Sequence, residues 1–378
     1  MTFVLSEDQQ MLRDTAMTFA REELPVTHLR GLRDSGANGV DIDTRQKLAE
    51  LGFFGVLIDE DHGGVDMGMV AIGQVMEAMG RTLAATPLLQ TAVLASSILR
   101  MGGSAAVKSE WLPKIASGEV TMALAVDEGS HHAPLNISSD AKKVDDAYVL
   151  NGRKTYVSDG HHADVFIVVA RTFGEPGQSH GLSLFLVPRN ADGLSVQVLN
   201  TVDAHGAANL SFEDVQVKPD AIIGAVDGGA DILEAALDRG RIALAAEILG
   251  SSQAAFEMTL EYLQTRKQFG QLIGSFQALQ HRAAKMFTAL EMTRSCVSAA
   301  LAAVDSNKNN IAELASLAKA QASELVHLVS NEAVQMHGGI GMTDAHDSGL
   351  YMKRARVQEA LLGSASFHRD RYARMHGF

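Results

Sequence analysis

Two glycine-bounded strings in the last third of the chain carry the residue types best suited to gripping a phosphorylated ligand. Arg266-Lys267-Gln268-Phe269-Gly270 supplies a guanidinium, a planar and permanently charged fork that meets phosphate oxygens two at a time. Gln335-Met336-His337-Gly338-Gly339-Ile340-Gly341 supplies three glycines, which let a backbone approach a ligand closely. Taken alone, the first string reads as a helix end, with Arg266 capping it and Gly270 stopping it, and only its pairing with the second string favours a ligand. Both adjoin Ala- and Leu-rich helical sequence, so neither is the strand-to-helix turn of a Rossmann nucleotide site. His131 and His132 suggest a metal pair, but adjacent loop histidines with no third ligand at workable spacing read as solvated. Cys296, the one cysteine, lies in an apolar helical pattern; it excludes an intramolecular disulfide and reads as packing.

The elements that must position these strings change texture twice. From Glu7 to about Ile115 apolar residues recur at helical spacing, broken by loops such as Asp59-Glu60-Asp61-His62-Gly63-Gly64. Near Thr121 short β-rich runs begin: Tyr148 to Leu150, Val165 to Val169, Leu182 to Val187, Leu194 to Leu199 and Leu210 to Val217. Asn151-Gly152 between two runs signals a hairpin turn, and the whole predicts a compact antiparallel sheet or barrel. After the loop Gly224 to Gly229 helical spacing returns, with runs past Glu257, from Phe276 to Val304, Ile311 to Gln335 and Ser348 to Arg374. Four long helices predict an antiparallel bundle. The expected division is an N-terminal α domain over 1–118, a middle β domain over 119–225 and a C-terminal helical bundle over 226–378, an α+β class overall.

A chain of 378 residues with net charge −13 and no long basic run argues against nucleic acid or an anionic membrane as main partner. The amphipathic stretch Leu5 to Leu24, interrupted by Glu7, Asp8, Arg13 and Asp14, fits neither a signal peptide nor a membrane span, so the expected compartment is the cytoplasm.

The order of these parts, together with Leu112-Pro113-Lys114-Ile115-Ala116-Ser117-Gly118-Glu119, Leu150-Asn151-Gly152-Arg153-Lys154-Thr155-Tyr156-Val157-Ser158-Asp159-Gly160, Leu237-Asp238-Arg239-Gly240-Arg241 and Phe276-Gln277-Ala278-Leu279-Gln280, resembles the acyl-CoA dehydrogenase family. The resemblance implies FAD as cofactor. It assigns Arg266, Gln268, Phe269, Gln335, Gly338 and Gly339 to the flavin diphosphate, across a subunit boundary, and Tyr156 and Ser158 to the flavin ring. Spacing of two would put Tyr156 and Ser158 on one side of an extended strand. The first flavin-facing string departs from the family: a threonine-glutamate-proline and a glycine-serine-aspartate are usual, and this chain has Ala125-Val126-Asp127-Glu128-Gly129-Ser130-His131-His132. The implied partners are an acyl-CoA thioester, which Arg241 would help bind, an electron-transfer flavoprotein, and further subunits in a homotetramer or a heterotetramer with a related chain.

Dehydrogenation of a thioester needs a base at the α-proton on one side while the flavin takes hydride from the β-carbon on the other. In most members a glutamate just before a glycine-threonine pair serves; here the stretch reads Leu361-Leu362-Gly363-Ser364. In a minority the base precedes an arginine on the long helix after the sheet; here that pair is Gly240-Arg241. Asp238 and Glu359 are the nearest substitutes, Glu359 about one turn before Leu362. A carboxylate introduced at 362 is expected to meet an apolar pocket that raises its pKa. Three readings follow: a dehydrogenase with a displaced base, a silent subunit of a heteromeric dehydrogenase, or a flavin oxidase or monooxygenase on the same scaffold.

Overall fold

The computed structural model describes residues 4–37 and 41–378. The helices are α1 (Glu7–Glu22), α2 (Val26–Ser35), α3 (Ile42–Glu50), α4 (Gly68–Arg81), α5 (Ser96–Gly102), α6 (Ala105–Ala116), α7 (Gly229–Thr265), α8 (Gln277–Asp305), α9 (Ile311–His337), α10 (Ser348–Ala360) and α11 (Ala365–Met375). The strands are β1 (Met122–Ala125), β2 (Asp140–Val144), β3 (Ala147–Ser158), β4 (Val165–Arg171), β5 (Leu182–Pro188), β6 (Leu194–Leu199), β7 (Ala207–Val217), β8 (Ile222–Ile223), and the small pair β9 (Lys267–Gln268) and β10 (Gln271–Leu272). Helices therefore precede and follow a central sheet. By contacts the chain forms two compact units, one of α1, Met69–Ala84 and Arg241–Phe378, the other of Leu32–Gly68 and Ala85–Gly240.

The main sheet runs β6-β7-β3-β2-β4-β5-β8, with β1 beside β4. It is not wholly antiparallel as the sequence suggested: β1 lies parallel to β4, pairing Met122 with Val165 through Ala125 with Val168. Both segments are buried throughout, and a strand covered on both faces shows no polar alternation from which its direction could be read. The free edge of β1 is closed by side chains. Thr91 Oγ1 accepts from Met122 N at 3.0 Å and Gln90 Oε1 accepts from Leu124 N at 3.0 Å. Gln90 and Thr91 belong to a π-helical stretch, Leu88–Ala95, that is buried along its whole length. A wider helical turn of this kind is costly and is retained where it presents side chains that a regular helix would not.

Asn151-Gly152 is not a hairpin turn. Both residues lie inside β3, and the β2–β3 turn is Asp145-Asp146, with Asp145 at φ 52°. Gly152 serves a close approach instead: at φ 137°, a Cβ there would lie 2.4 Å from Ser139 Oγ and 2.7 Å from Ser139 Cα, and the β3–β7 register shifts beside it. The two turn-like residues mark a bulge.

In the unit of α1, α4 and the C-terminal helices, α8, α10 and α11 all pack on α9. The expected single helix Ser348 to Arg374 is two helices. Leu361 closes α10 in extended backbone, Leu362 turns left-handed at φ 57°, and Ser364 caps α11 by accepting from Phe367 N at 3.3 Å. Gly152→Val should lower unfolding stability by about 2–4 kcal/mol, whereas Asp145→Gly should change it by no more than about 1 kcal/mol. Urea midpoints for the two variants check this, and equal midpoints would contradict the bulge.

Candidate active site

The first string begins where α7 ends. Arg266 N still donates to Tyr262 O at 2.9 Å, and the chain then makes the two-residue hairpin of β9 and β10. Phe269 and Gly270 form its turn, at φ 53° and φ 80°. Gly270 is thus a hairpin residue rather than a helix stop. The turn holds Phe269 out with 92% of its surface exposed, a position that costs free energy in an isolated chain and suits an aromatic side chain that is later covered. The Arg266 side chain is exposed, and among the described residues no carboxylate pairs with it.

The second string starts at the end of α9. Gly338 N donates to Gln335 O, and Gly338 takes φ 64°, ψ −138°, a conformation open to glycine. A Cβ at Gly338, Gly339 or Gly270 would meet nothing within 4 Å, so each backbone faces open space. The two strings are joined beneath the surface. His337 is buried, donates from Nδ1 to Ala333 O at 2.7 Å and lies against Tyr262 and His346 at ring-centroid distances of 4.5 and 4.2 Å. Tyr262 is the residue whose carbonyl receives Arg266, so one stack braces both strings. Burial holds the His337 imidazole below its ordinary pKa.

The bend at residues 361–364 is held by nitrogen donors. Arg241, with no exposed surface, places Nε 3.4 Å from Leu362 O and sets its guanidinium over the Phe367 ring at 5.7 Å. His368 donates from Nε2 to the same carbonyl at 3.1 Å. Lys319, also fully buried, donates to Gln358 O at 3.0 Å, Gly363 O at 2.9 Å and Ser323 Oγ at 2.9 Å. Burial, reinforced by the Arg241 charge and opposed by Glu359, brings the Lys319 pKa down to about 7. Burial and the same cationic neighbours hold His368 far below the imidazole range, so its ring stays neutral. A carboxylate placed at 362 would therefore lie near cations that hold its own backbone, and their charge would oppose the effect of burial on its pKa.

The substitute bases are differently placed. Glu359 Oε1 accepts from Arg356 Nη1 at 2.5 Å, and Oε2 lies 3.3 Å from His327 Nδ1. Arg356 is further tied to Asn331 Oδ1 at 2.7 Å. This surface cluster occupies the carboxylate. Asp238 is buried in α7, and Gly240 offers no side chain. Arg241 is buried and meets the bend at the Leu362 carbonyl.

On the sheet, Tyr156 sits at φ 49° inside a second register shift of β3, so the plain two-residue spacing to Ser158 does not hold. Both nonetheless flank the buried Val157 on the open side: Tyr156 is 40% exposed, Ser158 partly so. Tyr156 N donates to Asn209 Oδ1 at 3.0 Å, which fixes the irregular turn. The loop after β1 is tied to the same strand by Thr155 N donating to Asp127 O at 2.8 Å and Thr155 Oγ1 donating to Gly129 O at 3.0 Å. His132 is not solvated. Its side chain is 4% exposed and its Nδ1 lies 2.9 Å from Asp127 Oδ2, while His131 is exposed.

Sequence reasoning missed Lys319, His368, Tyr262 and the brace made by His337. A signal existed for the first: Ser316, Lys319, Ser323 and His327 recur at spacings of three and four along an Ala-rich helix and so share one face of it. Because Lys319 has a folded pKa of about 7 against the ordinary 10.5, the unfolded chain holds the extra proton between those values and stability rises with pH across that window. Urea unfolding of the wild type and Lys319→Met at pH 7 and pH 9 should show their difference moving in favour of the wild type at the higher pH, by at most about 1.4 kcal/mol per unit. A difference that moves the other way would contradict the assignment.

Family models match in the same order as the elements: the acyl-CoA dehydrogenase N-terminal domain over residues 6–119, the middle domain over 125–215 and the C-terminal domain over 227–376. The chain is 32% identical to the CarC subunit of the caffeyl-CoA reductase–Etf complex of Acetobacterium woodii over 342 residues, 89% of each protein. Its fold superposes on butyryl-CoA dehydrogenase from Megasphaera elsdenii with a TM-score of 0.93 at 26% identity, covering all of both chains. The ChsE4–ChsE5 complex from Mycobacterium tuberculosis gives a TM-score of 0.91 at 28% identity, again over all of both chains. By its three domain matches and its full-length likeness in fold, the chain is a member of the acyl-CoA dehydrogenase family of FAD-dependent oxidoreductases.

Proposed function

We propose that this chain binds FAD and an acyl-CoA thioester and works as one subunit of an oligomeric dehydrogenase, with no proton acceptor of its own at the usual position. The observation that carries this is Leu362 at the left-handed bend, with the nearby Glu359 carboxylate engaged by Arg356. The residues present fit the cofactor. Arg266 offers an exposed charged fork for the diphosphate, Gln268 an amide, and Gln335, Gly338 and Gly339 a loop whose two glycines a ligand can approach without meeting a side chain. Tyr156 and Ser158 present an aromatic face and a hydroxyl for the flavin ring.

When bound, FAD supplies the hydride acceptor. The chain's own part is to hold the cofactor, to exclude water around the thioester and to leave the α-proton to a base it does not itself place at 362. The exposure of Phe269, Ile340 and Met342 supports burial of these loops against another subunit. A related chain is the favoured partner, since the relatives named above include subunits of complexes of unlike chains. An electron-transfer flavoprotein is the favoured electron acceptor, on the same ground.

Arg266→Ala should weaken FAD binding roughly ten- to a hundredfold by removing charge-assisted hydrogen bonds. Cofactor titration of the refolded proteins reads this directly, and equal affinity would remove Arg266 from the site. For the reaction, anaerobic addition of acyl-CoA to the isolated FAD-loaded chain should bleach the flavin slowly. Leu362→Glu should accelerate bleaching by about 10²–10⁴-fold, the usual worth of a placed general base. Rapid wild-type bleaching abolished by Glu359→Gln would establish a displaced base, and rapid bleaching that survives both Glu359→Gln and Asp238→Asn would overturn the proposal.

A further inference from the structure

The loop that leaves β1 is built around a buried charge. Lys154 of β3 has no exposed surface, and its Nζ donates to Glu128 Oε1 at 2.7 Å and to Val126 O at 3.0 Å. Glu128 in turn accepts from Ser139 N at 3.0 Å through Oε1 and from Ser138 N at 2.7 Å through Oε2. One ion pair therefore fastens three segments: the loop after β1, the strand carrying Tyr156, and the turn into β2. Ser139 adds a further tie, donating from Oγ to Arg153 O at 3.2 Å. No proline stiffens Val126–Gly129, the stretch where the family string usually carries one.

We propose that the ion pair of Glu128 with the buried Lys154 is the positioning device of the flavin ring site, setting the loop backbone against Tyr156 and Ser158 in place of the missing proline. The inference rests on the FAD reading above. Its physical basis is the cost of leaving the lysine unpaired: an ammonium out of water must keep its carboxylate and carbonyl partners, so the loop has one low-energy position. Groups facing Lys154 are Glu128 and, at longer range, Asp127, both on the loop; Arg171 at the end of β4 faces Glu128. Burial lowers the lysine pKa to about 8 against the upward pull of Glu128, so the clamp weakens above that pH.

The test compares the full-length wild type, Glu128→Gln and the double variant Glu128→Leu/Lys154→Met. Apolar replacement of both partners removes the two charges together and should fold with a midpoint above that of Glu128→Gln, which leaves the lysine charge unpaired. It should still bind FAD at least roughly tenfold more weakly, with a shifted visible absorption band, because Ser138 N, Ser139 N and Val126 O lose their partners. Wild-type FAD affinity should fall as pH rises through about 8, and the double variant should show no such fall. Hydrogen exchange of residues 126–139 in the FAD-free chains should be faster in both variants. Unchanged affinity, spectrum and exchange in the double variant would overturn this inference alone. A wild-type chain that binds no FAD would overturn the FAD reading and this inference together.

Discussion

A lysine head group taken out of water must hydrogen-bond to acceptors of the protein, and two lysines with no exposed surface impose that demand on this chain. Lys319 meets it with the carbonyls of Gln358 and Gly363 and the Ser323 hydroxyl. Those carbonyls are available because α10 stops, and the stop produces the left-handed Leu362. Lys154 meets it with Glu128 and the Val126 carbonyl, which holds the loop after β1. In each unit, an irregular stretch of backbone is fixed by a buried lysine that the regular elements around it deliver. Helix and sheet are the scaffold; the satisfied amine makes the loop reproducible.

The bend at 361–364 shows why the identity of one side chain matters so much. Arg241, His368 and Lys319 meet backbone oxygens there, contacts that a different side chain at 362 leaves in place. A glutamate and a leucine can occupy the same backbone, and the chemistry changes while the fold persists. This separates membership of a family from independent activity within it. The Glu359 cluster reinforces the point: a carboxylate one turn away is close in sequence, yet its partners hold it to Arg356 and His327.

Periodicity and texture made the helix–sheet–helix order legible, and the glycines of the two strings marked the open turns that follow α7 and α9. The misreadings have specific physical origins. Asn151-Gly152 has the residue types of a turn, but the required conformation arises from the approach of Ser139 across the sheet, which is not a local property. The direction of β1 was hidden because a strand buried on both faces carries no alternation. The break after α10 was hidden because Leu361-Leu362 continues the helical pattern, and tertiary hydrogen bonds from α9 and α7 decide otherwise. His132 looked solvated because its partner Asp127, five residues earlier, closes on it only when the loop is folded. Lys319 looked like an ordinary helix lysine.

The central claim is that this chain, by itself, brings no proton acceptor to the α-carbon of a bound thioester. Exchange of that proton with solvent measures the point without requiring electron transfer. FAD-loaded protein can be incubated with an acyl-CoA in deuterated buffer and the α-position followed by NMR. The account predicts no exchange above the protein-free rate for the isolated chain, with exchange appearing when Leu362 is replaced by glutamate. Wild-type exchange as fast as that of the glutamate variant would contradict it.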